Sequence, residues 1–292
     1  SFLKPRKARK LPTGSPTNVH SCPVQFKLFA KDFMGKQVIR SLVSLTMASY
    51  VDFEKTMSEL LRLDEFPVGL RFVHDDREFE GVARAKRRLY SCQMLKIAGQ
   101  GGYLHSATQQ ELSCPHERIV FGMAAVTDED VERQTTYVSD REVARKWFET
   151  QVPRTKCLGL IVGPLSKMKY EPDVLALTVN AWQATRCIHA YTFQDGLNVQ
   201  FVTGPAAIPC AYGAVYVYNS GRPNLVTACS GARRYGKFEK GDLIFFFPFK
   251  DIEMFVEGLQ ESNKNGLTVP LLLDLGYPPR IPKAVFQEPK TR

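Results

Sequence analysis

The sequence predicts an α/β or α+β fold: a single mixed-sheet domain with packed helices, plus N- and C-terminal extensions. Three observations predict it. Short, continuous apolar runs of strand length occur at residues 157–162 (CLGLIV) and 174–179 (VLALTV), as in strands covered on both faces. Stretches with apolar residues at helical spacing alternate with such runs along the chain. Basic residues and prolines are concentrated at the two ends. The expected boundaries are a basic N-terminal extension over 1–50, a domain over 51–262 and a Pro-rich tail over 263–292.

In chain order, residues 1–20 mix Pro, Gly, Ser and Lys without periodicity and read as extended. Residues 24–50 are apolar enough to pack but carry only weak helical signals. Phe53, Met57, Leu60 and Leu61 fall at i, i+4, i+7 and i+8, which predicts an amphipathic helix ended before Pro67. Residues 68–73 then alternate as a strand. Ser139 with Glu142 has the pattern of a capping box and starts a helix holding Val143, Trp147 and Phe148. Asn180 is the expected N-cap of the helix between the strand at 174–179 and residue 198. Residues 198–202 and 243–247 are expected as two more strands. Ile252, Phe255, Val256 and Leu259 mark a last helix. Five prolines beyond residue 268 exclude a helical tail. No internal repeat is visible.

Composition excludes several classes. With 44% hydrophobic and 24% charged residues in 292, the chain has the balance of a globular protein, not of a disordered or fibrous one. No uncharged apolar run approaches the ~18 residues that span a bilayer. Of the net charge of +9, residues 1–50 hold +8, from nine basic side chains against Asp32 alone. The rest of the chain is close to neutral, which argues against nucleic-acid binding by the core domain, since that function puts a basic face on the folded module. The basic, acid-poor segment fits a solvated tail, a remnant of targeting to an organelle (mitochondrion or plastid), or an arm around an anionic partner.

Standard enzyme signatures are absent: there is no GxGxxG after a strand, no GxxxxGK[ST], no HExxH and no GxSxG. Gly99-Gln-Gly-Gly lacks the Lys of a phosphate loop and reads as a turn, and the five histidines are dispersed. Seven cysteines without a secretory pattern point to a reducing compartment. Cys22, Cys157 and Cys187 read as small apolar core residues. The other four, Cys92, Cys114, Cys210 and Cys229, are separated by 22, 96 and 19 residues and form no CxxC pair, so spacing alone gives a weak metal signal. Cys114 precedes Pro115 and a short predicted helix. Cys229 opens Ser230-Gly231-Ala232-Arg233-Arg234, where small residues permit a tight turn beside two guanidinium groups. Ser230, Gly231, Arg233 and Arg234 are therefore the candidate anion-binding residues, against the plainer reading of a solvated turn.

The phrases EFPVGLRF, SCQMLKIAGQGGYL, ELSCP, AIPCAYGAVYVYNSGRPNLVTACSGARRYG and FPFKDIEMFVEGL occur in one order. That order resembles the domain-of-unknown-function family 169, or uncharacterised ArCR, over about residues 52–262. The family's recurring cysteines match Cys92, Cys114, Cys210 and Cys229; Cys22, Cys157 and Cys187 have no counterpart in it. Its members are mostly small prokaryotic cytoplasmic proteins without a settled activity. The extensions over 1–50 and 263–292 depart from the compact family unit.

The resemblance implies that the four cysteines converge, as an iron–sulfur cluster or a zinc ion would require. The first expectation is thus a soluble family protein with an iron–sulfur or other metal centre on these cysteines, a small anionic ligand beside it, and no assigned reaction or enzyme class. The alternative is a non-catalytic accessory subunit of a larger, organellar assembly, gripping protein partners through its extensions. The organelle is the expected location on the strength of the basic segment, with the cytoplasm as the alternative that the family implies.

Overall fold

A computed structural model describes residues 50–269. The expectations for 1–20, 24–49 and 270–292 lie outside the described residues. The first helix, α1 (Tyr50–Leu61), turns Met57 and Leu61 inward, as its apolar spacing predicts. After it come β1 (Val68–Val73), α2 (Ser91–Gly101), β2 (His105–Thr108), α3 (Pro115–Val120), α4 (Asp128–Gln134) and α5 (Arg141–Lys146). The chain continues through β3 (Gly159–Pro164), β4 (Val174–Val179) and α6 (Ala181–Tyr191) to a π-helical segment, Ile208–Val215. That segment runs without a break into α7 (Tyr216–Ser220), and β5 (Asn224–Thr227), α8 (Ser230–Gly236), β6 (Leu243–Pro248) and α9 (Ile252–Lys264) complete the order.

The six strands form one sheet in the order β2-β3-β1-β4-β6-β5, and every ladder is antiparallel. Arg84–Ser106 and Leu89–Leu112 add isolated parallel bridges. The fold is therefore the α+β form of the expected class. The continuous apolar runs arise because both faces of the central strands are covered. In β4, Val174 and Ala176 enter one core while Leu175, Leu177 and Val179 enter the other. In β6, Ile244 and Phe246 divide from Phe245 and Phe247 in the same way. On the second face, α1, α6 and α9 cover the sheet. On the first, α2, α3 and the π-helical segment pack against it, and this layer carries the candidate site. Gly213 permits the close approach there: a Cβ on it would overlap the ring of Phe246.

Local signals were accurate where capping chemistry is strong. Asn180 caps α6, with Oδ1 accepting from Gln183 N at 3.0 Å and the Gln183 side chain accepting from Asn180 N at 2.7 Å. The helix expected from Ser139 starts one residue later, because Asp140 accepts from Val143 N at 2.9 Å. The strand expected at 198–202 is not formed. That stretch is mostly exposed, and its Val202 amide and carbonyl bond to the side chain of Asn224, in place of a strand partner. Gly99 and Gly101 belong to the end of α2, which stops where Gly102 takes φ of 67°, a left-handed cap that glycine adopts without a steric cost.

Candidate functional site

A cavity of about 330 Å³ opens in the layer built by α2, α3, the π-helical segment and α8. Cys92, Cys114, Cys210 and Cys229 all line it. Each comes from a separate element, and each sits at or near the start of one. Cys92 is the second residue of α2, which begins after Tyr90 with Gln93 accepting from Tyr90 N at 2.8 Å. Cys114 is the N-cap of α3, and Pro115 supplies the first helical position, where its missing N–H costs nothing. Cys229 is the N-cap of α8. Cys210 lies in the π-helical segment, with Sγ 3.3 Å from the Ala207 carbonyl.

Ala207 itself has a φ of 55°. A left-handed alanine is uncommon, and π-helical turns are rare and frequently found at functional sites. Here both occur in the stretch that brings Ala206, Ala207, Pro209 and Cys210 to the cavity wall. The segment is anchored by Asn224, which donates to the Tyr212 carbonyl, and by the Tyr212 hydroxyl, which accepts from Trp147 Nε1 at 3.0 Å.

The electrostatics of the cavity centre on Glu117, which sequence reasoning passed over. Its side chain is 1% exposed and lines the cavity. Oε1 accepts from Cys114 N at 2.9 Å and Oε2 from Ser91 N at 2.6 Å. Burial pushes its carboxyl up to about 7 despite those two bonds. Burial also raises the thiols of Cys92, Cys114 and Cys210, Cys114 to about 12. The charge of Glu117 and of the neighbouring cysteines raises them further. A cation in the cavity would reverse this, because thiolates beside a metal ion are the favoured form. The available signal for Glu117 was its place three residues after the N-cap Cys114, the capping-box position.

The segment after Cys229 is helical, and its two arginines part company. Arg233 Nε donates to the Ala228 carbonyl at 3.2 Å and Nη1 to the Glu239 carbonyl at 3.0 Å, so this side chain fastens the two ends of α8. Arg234 lines the cavity with Ser230 and Gly231. Two further residues at the rim were not visible in sequence: Arg133, and Tyr137, whose hydroxyl is 2.7 Å from Ser230 Oγ. Tyr90 and Tyr235 stack almost parallel, with centroids 4.3 Å apart, and complete the wall.

Cys157 and Cys187 are buried and do not line this cavity; Cys22 lies outside the described residues. Among the described residues, no group of three or more His, Cys, Asp or Glu side chains is already gathered as a metal site. Nor is any helix among them long and apolar enough to cross a membrane.

Comparison with known proteins agrees with the sequence motifs. The chain is 22% identical over 214 residues to the uncharacterized protein MJ0308 of Methanocaldococcus jannaschii, a match covering 70% of this chain and 91% of that protein. No solved structure matches it. The sequence profile of the domain-of-unknown-function family 169, described as uncharacterised ArCR, matches residues 56–258, which include all four cavity cysteines. The chain belongs to this family.

Proposed function

We propose that the cavity is a metal centre in which Cys92, Cys114, Cys210 and Cys229 hold an iron–sulfur cluster, with a small anion bound beside it at Arg234. The observation that carries the reading is that four cysteines, from four separate elements, line one cavity. Core packing alone gives no reason to bring thiols together, because an isolated cysteine packs equally well elsewhere, as Cys157 and Cys187 do.

The size of the cavity favours a cluster over a single zinc ion. Four sulfurs on one tetrahedral zinc lie within about 4 Å of one another and leave no void between them. A cluster spreads its ligands over several irons and needs a larger chamber. The small anion would sit at the side of the cavity where Ser230, Gly231 and Arg234 line it. Chemistry of that kind is redox or ligand-activating, and the cysteines, Arg234 and the tyrosine-lined wall would hold and enclose the reacting groups.

The test is anaerobic purification of the full chain, followed by iron, zinc and sulfide analysis and a visible spectrum. Iron with acid-labile sulfide and visible absorption, both lost in Cys92→Ser, Cys114→Ser, Cys210→Ser and Cys229→Ser but kept in Cys157→Ser, is the expected result. Metal-free protein after reconstitution, or equal loading of all variants, would overturn the proposal.

The accessory-subunit reading rests on a different observation, the +8 charge of residues 1–50. It is compatible with a metal centre. Co-migration with a larger complex after mild purification, weakened by salt as exposed charge requires, would support it.

A further inference from the structure

We infer that Glu117 is the positioning residue of the cysteine site, the group that sets where Cys92 and Cys114 stand relative to one another. The inference rests on the cluster reading above and adds a residue that is not itself a ligand.

The geometry is a bridge across 26 residues of chain. One oxygen of Glu117 takes the N–H of Ser91, the first residue of α2 and the neighbour of Cys92. The other takes the N–H of Cys114, the cap of α3. Both are helix-starting amides, which have no partner inside their own helix. A single carboxylate therefore satisfies two orphan donors and fixes the starts of two cysteine-bearing helices at once. A buried carboxyl is costly, and burial acts against the charge here. An apolar side chain would fill the same space at no such cost but would leave both amides unbonded. The bridging geometry is the feature that only this side chain provides.

The bridge makes chemical demands that a substitution can probe. Two equivalent acceptor oxygens are needed, one for each amide. Glutamine has one acceptor and turns an NH₂ toward the second donor. Aspartate is one methylene short of the span. At Ser91, proline would delete the donor while keeping the helix, because proline is favoured at the first helical position. Tyr90, with φ of −94° and ψ of 147°, already has the extended backbone required before a proline.

The experiment is anaerobic reconstitution of the full chain with ferrous iron and sulfide, comparing wild type, Glu117→Gln, Ser91→Pro and Cys92→Ser. Iron per chain and the visible circular-dichroism spectrum are read after far-UV spectra have established that each is folded. Removing the groups that orient metal ligands typically weakens binding by about 10–100-fold. Glu117→Gln should fall in that range and change the visible dichroism, and Ser91→Pro should change it in the same sense. Glu117→Gln loading with wild-type affinity and spectrum, while Cys92→Ser fails to load, would overturn the positioning role and leave the cluster reading standing. If Glu117→Gln does not fold, an unaltered spectrum in Ser91→Pro would overturn it equally. Wild type that takes up no iron would remove the cluster reading, and this inference with it.

Discussion

Asn224 donates its side-chain amide to the Tyr212 carbonyl at 2.7 Å, tying edge strand β5 to the π-helical segment that carries Cys210. The same amide nitrogen reaches the Val202 carbonyl at 2.7 Å, and the side-chain oxygen accepts from Val202 N at 3.0 Å. Asn224 is fully buried, so one side chain holds a loop, a strand and a cavity wall in register. Asn224→Ala should cost about 1–3 kcal/mol, the usual penalty for stranding a buried polar group. It should also expose Cys210 to alkylation in the metal-free protein. Chemical denaturation and mass-mapped labelling would check both, and a wild-type midpoint with unlabelled Cys210 would count against the anchor.

Lys96 on α2 is 6% exposed and pairs with Glu65 at 2.5 Å and Asp242 at 2.9 Å, with its ammonium 4.4 Å from the centre of the Phe238 ring. The energetic asymmetry of a buried pair decides the prediction. Removing the cation leaves two carboxylates with little access to water, so Lys96→Met should cost about 3 kcal/mol even though the apolar stem is retained. Neutralising all three positions together should recover much of that loss. Urea midpoints of the single and triple variants would measure the difference.

His105 on β2 is 8% exposed, with Nδ1 3.1 Å from the Tyr103 carbonyl. Burial lowers its pKa, so the folded state resists the proton that the unfolded chain accepts at about 6.5. The unfolded state then binds more protons as pH falls through that value, and stability drops. His105→Gln should have a flatter stability profile between pH 7 and 5 than wild type. Parallel profiles would mean that His105 does not contribute to the slope.

The two arginines of α8 should separate by experiment. Arg233 bonds two carbonyls, so Arg233→Ala should lower stability by about 1 kcal/mol and leave anion binding in place. Arg234 faces the cavity, so Arg234→Ala should keep the stability and lose the upward shift in melting temperature that phosphate or acetate gives wild type. The opposite assignment of effects would return the anion site to Arg233.

Much of the fold was legible because its signals are local. Strands β4 and β6 are short runs buried on both faces, and β1 alternates, so their length and patterning mark them as strands. Asn180 and the spacing from Ile252 to Leu259 specify α6 and α9 by the same local chemistry. Helix α2 was missed because SCQMLKIAGQG ends in glycines that read as a loop, and its stability comes from packing on β3 and α8. Residues 198–202 failed in the other direction: their apolar pattern suits a strand, but the Val202 amide and carbonyl bond to the side chain of Asn224 in place of a strand ladder.

For the site, the sequence alone singled out four cysteines as candidates, through the family motifs around them. Only the tertiary structure decided that they line one cavity, that Glu117 lines it with them, and that Arg234 rather than Arg233 borders it. The physical reason is distance along the chain. Caps and periodicity act over three to eight residues and are written into neighbouring letters. Contacts from Cys92 to Cys229 depend on how an antiparallel sheet orders its strands and which helices it stacks on one face, and those are properties of the whole packed chain.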